Sequence, residues 1–171
     1  MAYVDHILDQ PNDLDENLLM QAPLQLAIVN YYNFLTAYEN LLCDGLTDNS
    51  NEINLPGGPT TSTTGAAGAV WTFARSKTGT DAIHLINMLN VTSSDWMDTN
   101  ANKVAPTVQT NLVSKYYYGT GTPTSVSVTS PDINGGATQS LSFTAGTDGE
   151  GAFVQFTVPS LNYWDVVWVN K

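Results

Sequence analysis

The chain has 171 residues, 42% apolar and only 12% charged, with a net charge of −11 from five basic and sixteen acidic side chains. That length holds one domain with a full core and room for an appendage. The charge excludes nucleic-acid binding, which needs clustered Lys and Arg against phosphates, and it disfavours an anionic membrane surface, because Arg75, Lys77, Lys103, Lys115 and Lys171 are scattered.

The first 52 residues hold nine Asp or Glu and no Lys or Arg, an imbalance that suits part of a larger surface. "YVDHILD" at residues 3–9 alternates in part and reads as a short strand. "QPNDLDENLLM" then reads as a polar, acidic loop. In "PLQLAIVNYYNFLTAYENLLCDG", Leu24, Ile28, Tyr31, Leu35, Tyr38 and Leu42 recur at spacings of three and four. This predicts a helix over residues 23–43, with Pro23 in its first turn and Gly45 at its C-terminal cap. Cys43 is the sole cysteine, so no intrachain disulfide forms. Within an apolar helical pattern it reads as a small buried hydrophobe. No run of about 18 apolar residues is present, and no basic segment leads into an apolar one as in a signal peptide.

From residue 51 the chain reads as β. "AVWTFARS", "AIHLINML", "NLVSKYYY", "TSVSVTS", "SLSFTAG", "AFVQFTVP" and "YWDVVWV" are strand candidates, divided by Gly-, Asn- and Pro-containing turns. Asp148-Gly149 predicts a hairpin with a type I′ turn, which needs positive φ at both central residues. Short strands at this spacing predict an antiparallel β-sandwich. The expected fold is therefore mainly β: a sandwich over residues 46–171, preceded over residues 1–45 by one strand and one long helix. That leading piece leaves a sheet edge and an apolar helix face uncovered, so it reads as the last βα unit of something larger.

Few residues carry recognisable chemistry. Glycoside cleavage needs two carboxyl groups about 5–10 Å apart. The acidic loop offers Asp5, Asp9, Asp13, Asp15 and Glu16, but acids ahead of a helix are usually solvated or face its N-terminal dipole. The loop lacks the glycine and distal glutamate of an EF-hand. Two histidines and one cysteine, far apart, show no zinc spacing, and no phosphate loop or nucleophile elbow implies a cofactor. His84 lies between apolar neighbours on a predicted strand and reads as a satisfied, half-buried side chain. His6 lies near the C-terminal end of a short strand, where barrel enzymes place functional residues. In "YWDVVWV", Trp164, Val166 and Trp168 share one face. With valine rather than polar groups beside them, the tryptophans are expected between layers and not on a sugar platform.

Several segments together resemble the C-terminal part of glycoside hydrolase family 66, which contains dextranases and cycloisomaltooligosaccharide glucanotransferases. The resemblance rests on "AYENLL", "HLIN", "TNL…KYY", "SPD" and "FTVPSL.YWD", which occur here in that order. It implies a (β/α)8 barrel followed by an antiparallel β-domain, with residues 3–9 as the last barrel strand. It also implies a retaining mechanism on α-1,6-glucan, run by two carboxyl groups on earlier barrel strands that this chain does not contain. No catalytic residue and no metal ligand is assigned here. The last βα loop would lie at the rim of the active-site face, making His6, Asp9 and Asn12 the candidates for glucan contact. The implied setting is a secreted bacterial enzyme, with this β-domain a buttress packed on the barrel. A non-catalytic carbohydrate-binding sandwich is the competing reading.

Overall fold

A computed structural model describes residues 22–92 and 104–171. The long helix is real but broken. Helix α1 spans Ala22–Ala37 and a short helix α2 spans Glu39–Leu42, with Tyr38 between them at φ −114° and ψ 20°. Cys43, just past the end of α2, is exposed rather than buried, which corrects its expected place.

Eleven strands follow among the described residues: β1 Thr47–Asn49, β2 Ile53–Asn54, β3 Thr61–Ser62, β4 Val70–Lys77, β5 Thr80–Asn87, β6 Gln109–Tyr117, β7 Ser125–Thr129, β8 Gln139–Leu141, β9 Phe143–Thr147, β10 Ala152–Leu161 and β11 Trp164–Asn170. One sheet runs β1-β4-β5-β11-β7-β8, with β3 parallel to β4. The second runs β2-β6-β10-β9. All other pairings are antiparallel. The chain is mainly β, as expected.

The two sheets pack face to face over one core. Val70, Ile83, Leu85, Val167 and Val169 from the first sheet meet Tyr116, Val154, Val158 and Leu161 from the second, each fully buried. Burying one such side chain stabilises by about 1.5–3 kcal/mol. Strand β11 explains its own composition. Val166, Val167 and Val169 are all sealed, because one face of β11 meets the second sheet and the other meets the helix. A strand covered on both faces reads as a continuous apolar run.

Two turns differ from expectation. "SLSFTAG" breaks at Ser142 into β8 and β9, which belong to different sheets, so the chain crosses the sandwich there. The hairpin between β9 and β10 exists, but Gly149 and Glu150 at its tip lack the positive φ of a type I′ turn. Asp148 and Gly151 exchange backbone hydrogen bonds, and Gly151 holds φ +137°. The Asp148 side chain accepts from the Glu150 N–H at 2.9 Å, an Asx turn that opens this two-residue loop.

Candidate functional site

His6, Asp9 and Asn12 lie outside the described residues. The described surface has three features that could carry function: a polar cleft at one end of the sandwich, the joint between helix and sheet, and a pocket behind that joint.

The cleft has a volume of about 520 Å³ and is bordered by the turns holding Gly79 and Gly121. Its floor is a closed polar network around Asp81, which is 1% exposed. Oδ1 of Asp81 accepts from Ser76 Oγ at 2.7 Å. Oδ2 accepts from Tyr116 Oη at 2.9 Å and Lys171 Nζ at 2.8 Å. Asn49 and Asn51 donate to the Tyr116 hydroxyl in turn. Both oxygens of Asp81 and the Tyr116 hydroxyl are engaged within it, so the network fastens the C-terminus onto the sandwich instead of presenting the carboxylate to a substrate. No group of three His, Cys, Asp or Glu able to hold a metal occurs among the described residues.

The joint is built by the outer face of the first sheet. Phe34, Leu41 and Val166 are buried there, with Tyr38, Leu42, Trp164 and Trp168 packed around them. The two terminal tryptophans are half-buried under the helix, so the layer that covers them is α and not the second sheet. Trp164 stands edge-on to Phe34, with ring centroids 5.2 Å apart. The loop after β7 clamps the arrangement. Asp132 accepts the Tyr31 hydroxyl on one oxygen, at 2.6 Å, and the N–H groups of Tyr163 and Trp164 on the other. Ser130 Oγ donates to the Trp164 carbonyl at 2.8 Å. The Tyr38 hydroxyl donates to Gly136 O at 2.5 Å. Arg75 adds bonds to the carbonyls of Leu42 and Leu46 at the far end of the helical segment.

Residues 134–136 all lie in the left-handed region, at φ 51°, 62° and 79°. Glycine is required at 136, where a Cβ would sit 3.1 Å from the Phe34 ring. This loop therefore approaches the helix with bare backbone.

Behind the loop lies a pocket of about 120 Å³ whose wall includes Ser130, Ile133, Asn134, Ala137 and Asp165. Asp165 is 1% exposed, and both of its oxygens are buried without a hydrogen-bond partner among the described residues. Burial pushes its carboxyl up to about 7; the Ser130 hydroxyl opposes the rise and the Asp132 charge adds to it.

His84 sits on the helix side of the same sheet and is 3% exposed. Its ring stacks on Phe73 at 4.3 Å, and its Nδ1 accepts from Trp164 Nε1 at 3.3 Å. Nε2 has no partner among the described residues, so the histidine is more deeply buried and less fully satisfied than the sequence implied. Burial, helped by the Arg75 charge, lowers its pKa to about 4.

The motifs that carried the family resemblance are structural joints. "SPD" and "YWD" make the helix clamp. The Asn87 of "HLIN" is 4% exposed and donates to the carbonyls of Thr107, Leu161 and Asn162. The acidic residues that matter here, Asp81, Asp132 and Asp165, were not singled out from sequence. The available signal was an aspartate inside an otherwise apolar strand.

Comparison with known proteins agrees with the motifs. The chain is 43% identical over 157 residues to a cycloisomaltooligosaccharide glucanotransferase of Niallia circulans, covering 89% of this chain and 16% of that protein. It is 29% identical over 164 residues to a dextranase of Streptococcus salivarius, covering 84% of this chain and 20% of that protein. It superimposes at a TM-score of 0.80 and 36% identity on a Paenibacillus sp. cycloisomaltooligosaccharide glucanotransferase crystallised with cycloisomaltoheptaose, covering 88% of this chain and 21% of that one. The chain thus spans about a sixth to a fifth of the length of these relatives. No helix among its described residues is long and apolar enough to cross a membrane. The glycosyl hydrolase family 66 model matches residues 4–168, and this protein belongs to that family.

Proposed function

We propose that this chain is the C-terminal part of an enzyme that acts on α-1,6-linked glucan by a retaining mechanism. The catalytic carboxyl pair lies on a (β/α)8 barrel that precedes it in the parent polypeptide. The observation that carries this reading is the family match across residues 4–168, to relatives five to six times longer that are named for glucan transfer and dextran cleavage. In this reading residues 1–45 complete the barrel and residues 46–171 form the sandwich. His6, Asp9 and Asn12 touch glucan at the barrel rim, and the parent is secreted.

The helix supports a buttress role. Its sheet-facing stripe is used, yet Leu26, Val29, Tyr32 and Leu35 on the other side are 42–63% exposed. Those spacings of three form a second apolar stripe, which suits the barrel as its cover. The terminal tryptophans are occupied by the helix, which counts against a sugar platform on this domain.

Two measurements test the proposal. The reading frame upstream of Met1 is expected to encode a barrel with paired carboxylates, and its absence sinks the enzyme reading. The 171-residue chain alone is expected to release no reducing sugar from dextran. Clear retardation of this chain in dextran-affinity electrophoresis would favour a carbohydrate-binding module over a buttress.

A further inference from the structure

The loop of residues 130–137 has two working sides. One side holds the helix, through Asp132 to Tyr31 and Gly136 to Tyr38. The other side closes the pocket over Asp165, through Ser130, Ile133, Asn134 and Ala137. Asp165 itself follows directly on Trp164, whose N–H and C=O are both held by this loop. The two sides therefore cannot move independently.

The carboxyl beneath the loop is poorly placed to carry a charge. Among the described residues neither oxygen has a hydrogen bond of good geometry, because the nearby Ser130 hydroxyl is turned to the Trp164 carbonyl, and the residue is 1% exposed. A carboxylate in such a place costs several kcal/mol, whereas the neutral acid costs far less. Among the described residues the surrounding elements supply no counter-charge. From the loop after β7 the charged neighbour is Asp132, of the same sign. Gln139 of β8 and Pro159 and Ser160 of β10 are uncharged. On β5 the residue in register is Leu85, while His84 beside it faces the helix side of the sheet. Among the described residues no basic side chain lines the pocket.

We propose that residues 130–137 form a proton-controlled latch, in which neutral Asp165 keeps the loop closed on the helix and ionised Asp165 releases it. With the latch closed, burial holds the carboxyl near 7. With the latch open, water solvates it and it returns to the ordinary carboxylate range. Opening is therefore favoured as pH rises, about tenfold per pH unit between roughly 5 and 7, and levels off above that. Release frees Tyr31 and Tyr38 together, so the helix loosens from the sandwich while the two sheets stay packed. The latch does not depend on the glycosidase reading.

The test uses the 171-residue chain with ¹³C-labelled aspartate. Carboxyl shifts are followed from pH 4 to 9, and amide exchange, corrected for its intrinsic rate, from pH 5 to 8. The expected result is one aspartate titrating near 7 that Asp165→Asn removes. Opening of the α1 amides should rise about tenfold per unit up to that point. In Asp165→Asn the slope disappears from α1 and residues 132–137, while amides of β6 and β10 match the wild type. The proposal is overturned if Asp165 titrates near 4, if the α1 amides show no slope, or if the slope survives the substitution. Should Asp165→Asn fail to fold, the wild-type titration and the location of its pH-sensitive amides decide the matter alone.

Discussion

The Tyr31 hydroxyl donates to the Asp132 carboxylate at 2.6 Å, across 101 residues of sequence. The same carboxylate accepts two N–H groups at the start of β11. One aspartate thereby sets the position of the helix over the sheet. Hydrogen bonds to a charged group contribute about 1.5–3 kcal/mol when buried, and this one is half-buried. Tyr31→Phe is expected to lower stability by about 1–2 kcal/mol in urea denaturation. Amide protection should fall first in α1 and not in β10.

Removal of the Lys171 charge leaves Asp81 in the core with only hydroxyl donors. Breaking a buried ion pair costs about 3–5 kcal/mol, and the Ser76 and Tyr116 bonds that remain place Lys171→Met at the low end, about 3 kcal/mol. Asp81→Asn added to Lys171→Met is expected to cost much less than the sum of the singles. Full additivity in the double-mutant cycle would show that the pair is not coupled.

Gly146 on edge strand β9 is paired with Phe153, whose ring would lie 2.7 Å from a Cβ at that position. The ring covers the bare backbone and also receives Lys115 Nζ at 3.9 Å from its centroid. Gly146→Ala is expected to cost about 1 kcal/mol, the low end of overpacking, because the ring can swing toward solvent. Thermal unfolding of the single variant and of Gly146→Ala with Phe153→Ala measures it, and the loss should be smaller in the second background.

Two buried groups give opposite pH dependences. The pKa of His84 falls to about 4 on folding, so the unfolded chain binds the extra proton and stability declines as pH drops from 6.5 toward 4. The pKa of Asp165 rises to about 7, so the folded chain binds the extra proton and stability declines as pH rises from about 4 to 7. Across pH 4–6.5 the two slopes cancel, each being about 1.4 kcal/mol per unit. Asp165→Asn is expected to uncover the histidine slope. Urea midpoints between pH 4.5 and 6.5 should then fall with acid relative to wild type, and unchanged relative midpoints would refute the cancellation.

Substitution of the exposed stripe separates the chain from its proposed parent. Leu26→Gln with Tyr32→Gln is expected to change the stability of the 171-residue chain by less than about 0.5 kcal/mol per site, since neither side chain is buried in it. In the longer enzyme the same pair should lower the melting temperature, because there the stripe is covered. Equal and small effects in both would remove the barrel as its partner.

The local pattern was informative wherever burial is set by neighbours in sequence. The alternation in "AVWTFARS" and "AFVQFTVP" marks β4 and β10. The helix period held for Leu24, Ile28, Tyr31 and Tyr38, which are half-buried, but Phe34 rather than Leu35 fills the contact on the sheet. A helix period alone allows either residue, and the Trp164 ring decides between them. The break at Tyr38, the exposure of Cys43 and the crossing at Ser142 each follow from what lies across the fold. Strands β1, β2 and β3 are two or three residues long and have no period to detect.

Composition, strand spacing and motif order by themselves determined the fold class and the family, because alternation and turn chemistry are local and the motifs are carried in order along one chain. Only the tertiary structure decided what those motifs do. Asp132 became a clamp, Asp81 an anchor and Asp165 an acid without partners among the described residues because side chains brought together by the fold, most of them about 30 to 100 positions away in sequence, either supply their donors or fail to. The terminal tryptophans likewise belong to the helix joint: which layer covers a strand face is settled by packing, not by the strand.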